Sequence, residues 1–389
     1  MKKLIGTAML AALLATSAFA ELSVGVWLRQ VWSPVAYNGG DVKTGIQNPW
    51  GDSRTASLGF NWVGDDEKAG MSFSFVSNMF GGDFVAADGN NLIWVKPWDF
   101  LKVSFGHWDG INDITVPNTA SWNWNRPGTW LSFNGARVEN LYCENEATGA
   151  LFEITPVENL MIRVGLPFDN PDLSYHMFEA LTADLEYTIE DVLGIKVGWR
   201  GGRYAYAPSW GGAYANYKVD GDFAFTGEVD AYVSLLAVEN LQLEVGARIA
   251  ILDADLIEKN KLADDADKVL VGLRAGYNIT DNFSIKADFA VKISDIQDPS
   301  FAFGVGVGVG LTDSLSLDAD FRGLFEGDKG AVTYDPTFSF LVGLNYACSS
   351  NAVVGIGFQG KTNGGGFGPL AAKDDNFGFT VPITVELWF

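Results

Sequence analysis

The stretch 377–389, FGFTVPITVELWF, decides the fold of this chain. Its apolar side chains occupy every second position from Phe377 to Phe389, with mostly polar or small residues between them. A period of two indicates a β-strand with one apolar and one polar face. A soluble domain seldom ends on a long unprotected strand, because a bare edge invites aggregation, whereas a closed barrel has no edge. In lipid, every backbone polar group must also be paired. The end of the chain is therefore predicted to close a membrane barrel.

The beginning of the chain agrees with this prediction. Lys2 and Lys3 precede an apolar run over residues 4–14, and Ala18-Phe19-Ala20 has the small-x-small pattern of a cleavage site. Residues 1–20 are therefore predicted to be a secretory signal peptide, and residues 21–389 the barrel. Removing the 20 residues leaves 369 of the 389 and takes away two lysines, so the formal net charge falls from −22 to −24. No later run of 18 apolar residues predicts a membrane-spanning helix.

Short turns and longer polar connections alternate along the whole mature chain. The short turns are predicted at residues 65–68, 96–99, 157–159, 190–192, 238–240, 280–282, 312–314 and 349–351. The longer connections are predicted at 35–52, 81–89, 110–146, 169–177, 203–222, 253–266, 294–300, 326–335 and 361–375. Eight hairpins with a first and a last strand make about 18 strands. The prediction is an all-β, transmembrane, antiparallel up-and-down β-barrel with short periplasmic turns and long extracellular loops.

Two features leave the strand count open. Residues 138–141 repeat the Val-Glu-Asn-Leu sequence of the turns near 157 and 238, and a turn there would change the count by two. The N-terminal third also alternates less regularly, so 16 strands is the alternative count. A secreted soluble β-protein is the alternative fold, because a sandwich alternates in the same way. Aromatic residues near strand ends on the apolar face favour the membrane barrel. They are Trp62, Tyr187, Trp199, Tyr346 and Phe389.

The architecture resembles that of the porins of diderm bacteria. The terminal strand, VPITVELWF, is similar to the C-terminal signal by which such barrels are recognised and inserted, with Phe389 as the final aromatic residue. The resemblance implies an integral location in the outer membrane, with outer-membrane lipid and the barrel-assembly machinery as partners. It also implies a homotrimer and a channel for passive diffusion of small hydrophilic solutes, with no catalysis and no cofactor.

The connection 110–146 joins the fifth and sixth predicted strands. In trimeric porins the loop at this place folds inward, so the resemblance implies a constriction loop here. Trp122, Trp124 and Trp130 are its candidate residues, because aromatic faces beside asparagine amides suit sugar rings. Packing of these tryptophans against the barrel wall is the favoured interpretation for most of them. Solutes are therefore expected to be sugars or cations, the latter because the chain is acidic, although solvated surface charge is the preferred explanation of the acidity. The same acidity argues against nucleic acid as a partner.

Charges of both signs occupy the predicted inward positions of the strands. In lipid they would be costly, whereas a water-filled lumen accommodates them and opposing rows would create a transverse field. The predicted pore-lining residues are Lys102, Arg163, Asp184, Glu186, Lys196, Arg200, Glu228, Asp230, Glu244, Arg248, Arg274, Lys286, Asp288, Asp318, Asp320 and Arg322. Gly304, Gly306, Gly308 and Gly310 share one face of a strand, and we expect the inward loop to approach them closely.

Other function classes receive weaker support. Residues 355–362 satisfy two nucleotide-binding patterns, but the glycines that follow cannot start the helix that both patterns require. Ser104, His107 and Asp109 would have to converge in space to act as a hydrolase, and His176 is the only other histidine.

The acidic residues within 253–267 are read as solvated loop charge, and no metal site is predicted. Cys143 and Cys348 are expected to remain unpaired thiols. An adhesin or structural barrel without significant transport is the main alternative, and a barrel hydrolase the lesser one.

Overall fold

A computed structural model shows the chain as an antiparallel β-barrel. The residues that the structure describes are 20–46, 56–77, 84–86, 90–108, 114–116, 132–133, 136–137, 141–143, 147–167, 181–201, 227–251, 267–294, 298–363 and 377–389. The predicted signal peptide and the tryptophans at 122, 124 and 130 lie outside these ranges, as do Asp109, His176 and the acidic residues 253–265.

The described residues form 24 strands, which we number in chain order. The first twelve are β1 Ala20–Tyr37, β2 Val42–Ile46, β3 Ala56–Gly64, β4 Ala69–Ser77, β5 Phe84–Ala86, β6 Asn91–Trp98, β7 Leu101–Trp108, β8 Ile114–Val116, β9 Ser132–Phe133, β10 Ala136–Arg137, β11 Leu141–Cys143 and β12 Ala147–Val157. The others are β13 Leu160–Pro167, β14 Thr182–Ile189, β15 Leu193–Gly201, β16 Gly227–Leu235, β17 Leu241–Ile251, β18 Asp267–Thr280, β19 Phe283–Ser294, β20 Ser300–Gly310, β21 Leu315–Phe325, β22 Thr337–Ser349, β23 Ala352–Lys361 and β24 Gly378–Trp388.

Eighteen strand positions make up the wall of the barrel. β2 and β3 pair in succession with β1 and form one interrupted position, and β5 and β6 do the same against β4. β24 pairs with β1 and closes the ring. The prediction of a closed barrel of about 18 strands is confirmed. β8 with β11 and β9 with β10 form two small separate sheets, so the described strands of this connection add no position to the wall.

The eight predicted short turns are all found between consecutive wall strands. Asn159, Asp191 and Asn240 adopt positive φ angles of 64°, 56° and 62° in three of them. Asn and Asp tolerate this left-handed conformation better than most residues, which explains why the turn chemistry could be recognised in the sequence.

The predicted long connection at 35–52 is wrong in its first half. β1 continues to Tyr37 and β2 begins at Val42, so residues 38–41 form a tight turn. The side-chain oxygen of Asn38 accepts hydrogen bonds from the backbone N–H groups of Gly40 at 3.2 Å and Asp41 at 2.8 Å. A bulge between Ser33 and Ala36 shifts the alternation of inward and outward side chains by one residue. The end of β1 therefore breaks the period of two on which the prediction of strands was based.

The outer face of the barrel is apolar and carries aromatic residues near the strand ends. Tyr187, Tyr346 and Phe389 are exposed on this face, as predicted for an interfacial girdle. A further belt of phenylalanine rings in stacked or tilted contact crosses β19 to β24, with neighbouring centroids between 4.7 and 6.4 Å apart. An exposed apolar belt around a closed barrel is the surface that a bilayer requires.

Among the described residues, no helix is long and apolar enough to cross a membrane.

Candidate functional site in the barrel lumen

The lumen face of each wall strand carries the small, polar and charged side chains. On β24, Thr380 and Thr384 point inward and are fully buried, whereas Phe377 and Val385 point outward and are exposed. The same alternation orients the other strands, because successive side chains point to opposite faces. The lumen is therefore the one surface of the barrel where polar chemistry is concentrated.

Ion pairs follow one part of this inner surface, the lumen faces of β7 and β12 to β21, which we call the charged wall. Lys102 Nζ lies 2.6 Å from Glu153 Oε2. Arg163 donates hydrogen bonds to Asp184 Oδ1 at 2.8 Å and to Glu186 Oε2 at 3.3 Å. Two further pairs join Lys196 Nζ to Glu186 Oε1 at 3.5 Å and Arg274 Nη1 to Glu244 Oε2 at 3.7 Å.

The strand register interleaves opposite charges along the charged wall. Arg163 lies opposite Asp184, and Asp230 lies opposite Arg248. Arg274 lies between Glu244 on one side and Asp288 on the other. The electric fields of neighbouring opposite charges cancel within a few ångströms. The structure therefore places charges of both signs side by side on one wall, whereas the sequence suggested rows of opposite charge that face each other across the lumen.

The glycine face of β20 lies between two charged strands. Gly304 lies opposite Asp288 on β19 and Arg322 on β21, and Gly306 lies opposite Lys286 and Asp320. At Gly308, an added Cβ atom would lie 2.9 Å from Ser284 Oγ and 3.3 Å from Asp318 Oδ1. Side chains of the neighbouring strands thus occupy the space above Gly308, so a larger residue at this position would clash with them.

Mostly small or neutral polar groups, together with the charged residues Arg29 and Glu386, line the lumen faces of β22, β23, β24 and β1, which we call the seam wall. The hydroxyl groups of Ser33 and Thr380 share a hydrogen bond of 2.7 Å across the closure. Trp27 Nε1 donates a hydrogen bond to Glu386 Oε1 at 2.5 Å, and Arg29 lies opposite Glu386 in the register. Gln359 is fully buried on this wall.

Exposure changes along the length of the lumen. At the end with the short turns, Ser23, Gly25 and Gln242 are exposed on the lumen face. Toward the other end, Ser33, Leu341 and other inward residues have no exposed surface. Inward side chains are therefore more accessible at the short-turn end than in the half that carries the long connections.

The connection between β7 and β12 contains β8, which approaches distant strands of the wall. β8, in this connection, has Cα atoms within 8 Å of β15, β16, β17 and β18. These strands lie three to six positions beyond β12 around the ring. β8 thus lies against wall strands that are well separated from β7 around the ring.

Fourteen of the sixteen predicted pore-lining residues have described side chains, and all fourteen fall on the lumen face of wall strands by the observed alternation. Arg200 and Glu228 lie opposite each other in the register, but their side chains are outside the described part. Sequence reasoning missed Glu153, whose position opposite Lys102 depends on the pairing of β7 with β12. It also missed Lys292, Arg29 and Glu386, although strand alternation would have placed each of them inward.

Several weaker candidates have clear positions. Ser104 points into the lumen, whereas His107 points to the opposite face and its Nδ1 lies 3.1 Å from Thr148 Oγ1. The nucleotide-like stretch lies in β23 up to Lys361 and is a strand, as expected. Cys348 is an exposed free thiol, and no group of three potential metal ligands occurs among the residues that the structure describes.

Comparisons with known proteins identify the fold. No family model and no curated protein sequence matches the chain. Among solved structures, the anion-selective porin of Comamonas acidovorans matches with a TM-score of 0.53 at 12% identity, covering 95% of this chain and 100% of that one. OprD of Pseudomonas aeruginosa matches with a TM-score of 0.53 at 9% identity, covering 95% of each chain. OmpF of Salmonella typhi, solved with daunomycin, matches with a TM-score of 0.50 at 10% identity, covering 95% and 97%.

The predicted likeness to outer-membrane porins is thus confirmed at the level of the fold. An outer-membrane location follows from the same architecture, because the barrel is closed and its outer belt is apolar.

Proposed function

We propose that the protein is a porin, a water-filled channel through which small hydrophilic solutes diffuse passively across the outer membrane. One observation carries the proposal: some of the charged side chains on the lumen face remain accessible to solvent inside a closed ring. Lys196 and Glu186 keep 34% and 32% of their side-chain surface exposed on the charged wall. Charges of this kind are tolerated in a wet lumen and would be expensive in a dry one.

The predicted pore-lining residues and the inward connection belong to this proposal. The approach of β8 to β15–β18 supports an inward course for residues 109–146. The interleaved ion pairs favour uncharged hydrophilic solutes, such as sugars, over strong selection of cations, because a passing ion meets little net field. The acidic excess of the whole chain then has its main effect outside the lumen.

The proposal includes three further points that rest on the resemblance to porins. The chain acts without catalysis or a cofactor, and it assembles as a homotrimer in outer-membrane lipid. Its last strand is recognised by the barrel-assembly machinery through Phe389. The separation of Ser104 and His107 onto opposite faces speaks against the hydrolase alternative.

Planar-bilayer recording of the refolded protein tests the proposal. We expect discrete ion-conducting steps, weak ion selectivity in a salt gradient and reduced current when sugars are added. Heat-dependent mobility on a gel confirms in parallel that the barrel has formed. A barrel that shows the mobility shift but never conducts in steps would refute the porin and favour the adhesin or structural alternative.

A further inference from the structure

The outer face of the barrel has a groove in the part of the wall formed by β18 to β22. It lies between two rows of outward side chains, which the strand register aligns across all five strands. One row consists of Ala275, Ala287, Val305, Phe321 and Phe340, and the other of Tyr277, Ile285, Val307, Ala319 and Val342. The groove has a volume of about 580 Å³. Its floor is strand backbone, because the side chains between the two rows point into the lumen.

Three alanines leave room in this groove. Ala275 and Ala287 face each other on β18 and β19, and Ala319 lies in the other row on β21. Larger side chains that border the groove are exposed, among them Tyr277 at 45% and Val305 at 48%. In lipid, contact between apolar surfaces is stabilised by close packing, because the lipid tails are equally apolar. A groove with alanines at its base offers such packing to a single acyl chain.

The groove starts near the short-turn end of the barrel and leads away from it. At β18 and β19, Tyr277 lies three residues before the end of its strand and Ile285 two residues after the start of its strand. At β22, Val342 lies seven residues before the end of its strand. An exposed tyrosine near a strand end marks the level of the membrane interface. The groove therefore begins at this interface and runs deeper into the bilayer toward β22.

Acidic side chains border the shallow end of the groove. Glu239 lies two residues before Leu241, which lines the groove, and Asp281 lies in the turn between β18 and β19. Both are exposed, and neither residues 236–240 nor residues 280–282 include a lysine or an arginine. Such a border attracts a cationic group and repels an anionic one. The combination of an apolar groove and acidic turns fits a lipid whose headgroup carries an ammonium group.

We propose that this groove is a binding site for a phospholipid with an ammonium headgroup, taken from the leaflet at the short-turn end. One acyl chain lies between the two rows of side chains, and the ammonium group lies beside Glu239 and Asp281. The proposal does not rest on the channel function, because the groove and the lumen are on opposite faces of the wall.

Native mass spectrometry of the refolded barrel tests the proposal with equal amounts of phosphatidylethanolamine and phosphatidylglycerol that have the same acyl chains. We expect the wild-type protein to retain phosphatidylethanolamine in preference. Ala287→Phe places an aromatic ring in the groove and is expected to abolish this retention. Asp281→Asn removes one acid from the border, and we expect the preference to fall about two- to fivefold, the effect of an exposed ion pair.

Two matched controls lie away from the groove. Ala231→Phe makes the same change on the outer face of β16, and Asp65→Asn removes an exposed acid from the turn between β3 and β4. Both are expected to bind lipid as the wild type does. Equal retention by Ala287→Phe and the wild type, or a wild-type preference for phosphatidylglycerol, would overturn the proposal. If Ala287→Phe does not give a heat-modifiable barrel, Ala319→Leu narrows the groove from the other row, and unchanged retention there has the same meaning.

Discussion

The charged wall and the seam wall belong to one barrel but are stabilised differently. On the charged wall, each acid needs a base on a neighbouring strand, as Asp184 does with Arg163. On the seam wall, Ser33 and Thr380 are joined by hydroxyl groups, either of which can act as donor. A shift in register would separate the charges but would still leave hydroxyl partners. The comparison teaches that alternation alone orients both walls. The charged wall, which has several ion pairs where the seam wall has the facing pair Arg29 and Glu386, depends more strongly on the identity of the facing residues.

The largest expected effect concerns the closure of the seam. The backbone N–H of Phe389 donates to the carbonyl oxygen of Val26 at 3.0 Å, and the N–H of Val26 donates to the carbonyl oxygen of Phe389 at 2.7 Å. Deleting Phe389 removes both bonds and the terminal aromatic ring. We expect most heat-modifiable barrel to disappear from outer-membrane fractions. Phe389→Tyr is the control, and normal assembly of the deletion variant would contradict a role for this residue at closure.

The next effect is the loss of a shared cation on the charged wall. Arg163→Ala removes the guanidinium group that Asp184 and Glu186 share. The side chain of Asp184 is only 6% exposed. We expect a loss of about 2–3 kcal/mol in the free energy of unfolding, because a nearly buried carboxylate is left unpaired. Urea unfolding of the refolded barrel measures this. Thr384→Ala on the seam wall is the comparison, and an equal loss there would remove the distinction between the walls.

A smaller effect concerns ion selectivity. Lys102→Glu places a second acid beside Glu153 on the charged wall and breaks the local cancellation of charge. We expect the reversal potential in a salt gradient to shift toward the equilibrium potential of the cation. The shift should shrink at high salt, because screening shortens the reach of the field. A reversal potential that does not move would show that the lumen charges are remote from the path of the ions.

The smallest effect lies outside both walls, between two short turns. Lys68 binds Asp99, and this hydrogen bond and charge lower the pKa of Asp99 below its usual value. The pair therefore stabilises the folded barrel above the usual Asp range, and the stabilisation is lost as pH falls through the lowered pKa. Both groups are exposed, so the effect is small. We expect the unfolding midpoints of wild type and Asp99→Asn to differ slightly at neutral pH and to converge in acid.

The strand number, the inward parity of the charged residues and the eight short turns could be predicted, because each depends on neighbours in the chain. Asn159 and Asn240 mark turns by their own conformational preference. The end of β1 and the start of β2 escaped prediction, since a bulge in β1 disturbed the local period. Glu153 escaped as well, because only the pairing of β7 with β12 makes it the partner of Lys102.

The stretch 377–389 by itself determined that the chain ends in an amphipathic strand, and the repeat of such strands determined a barrel with a polar lumen. Period and turn chemistry are local properties, so the sequence contains them directly. Tertiary structure alone decided which charges become neighbours, that β24 meets β1, and that Gly165 leaves room for Trp108. These contacts join residues far apart in the chain, and the register that brings them together is set by the pairing of whole strands.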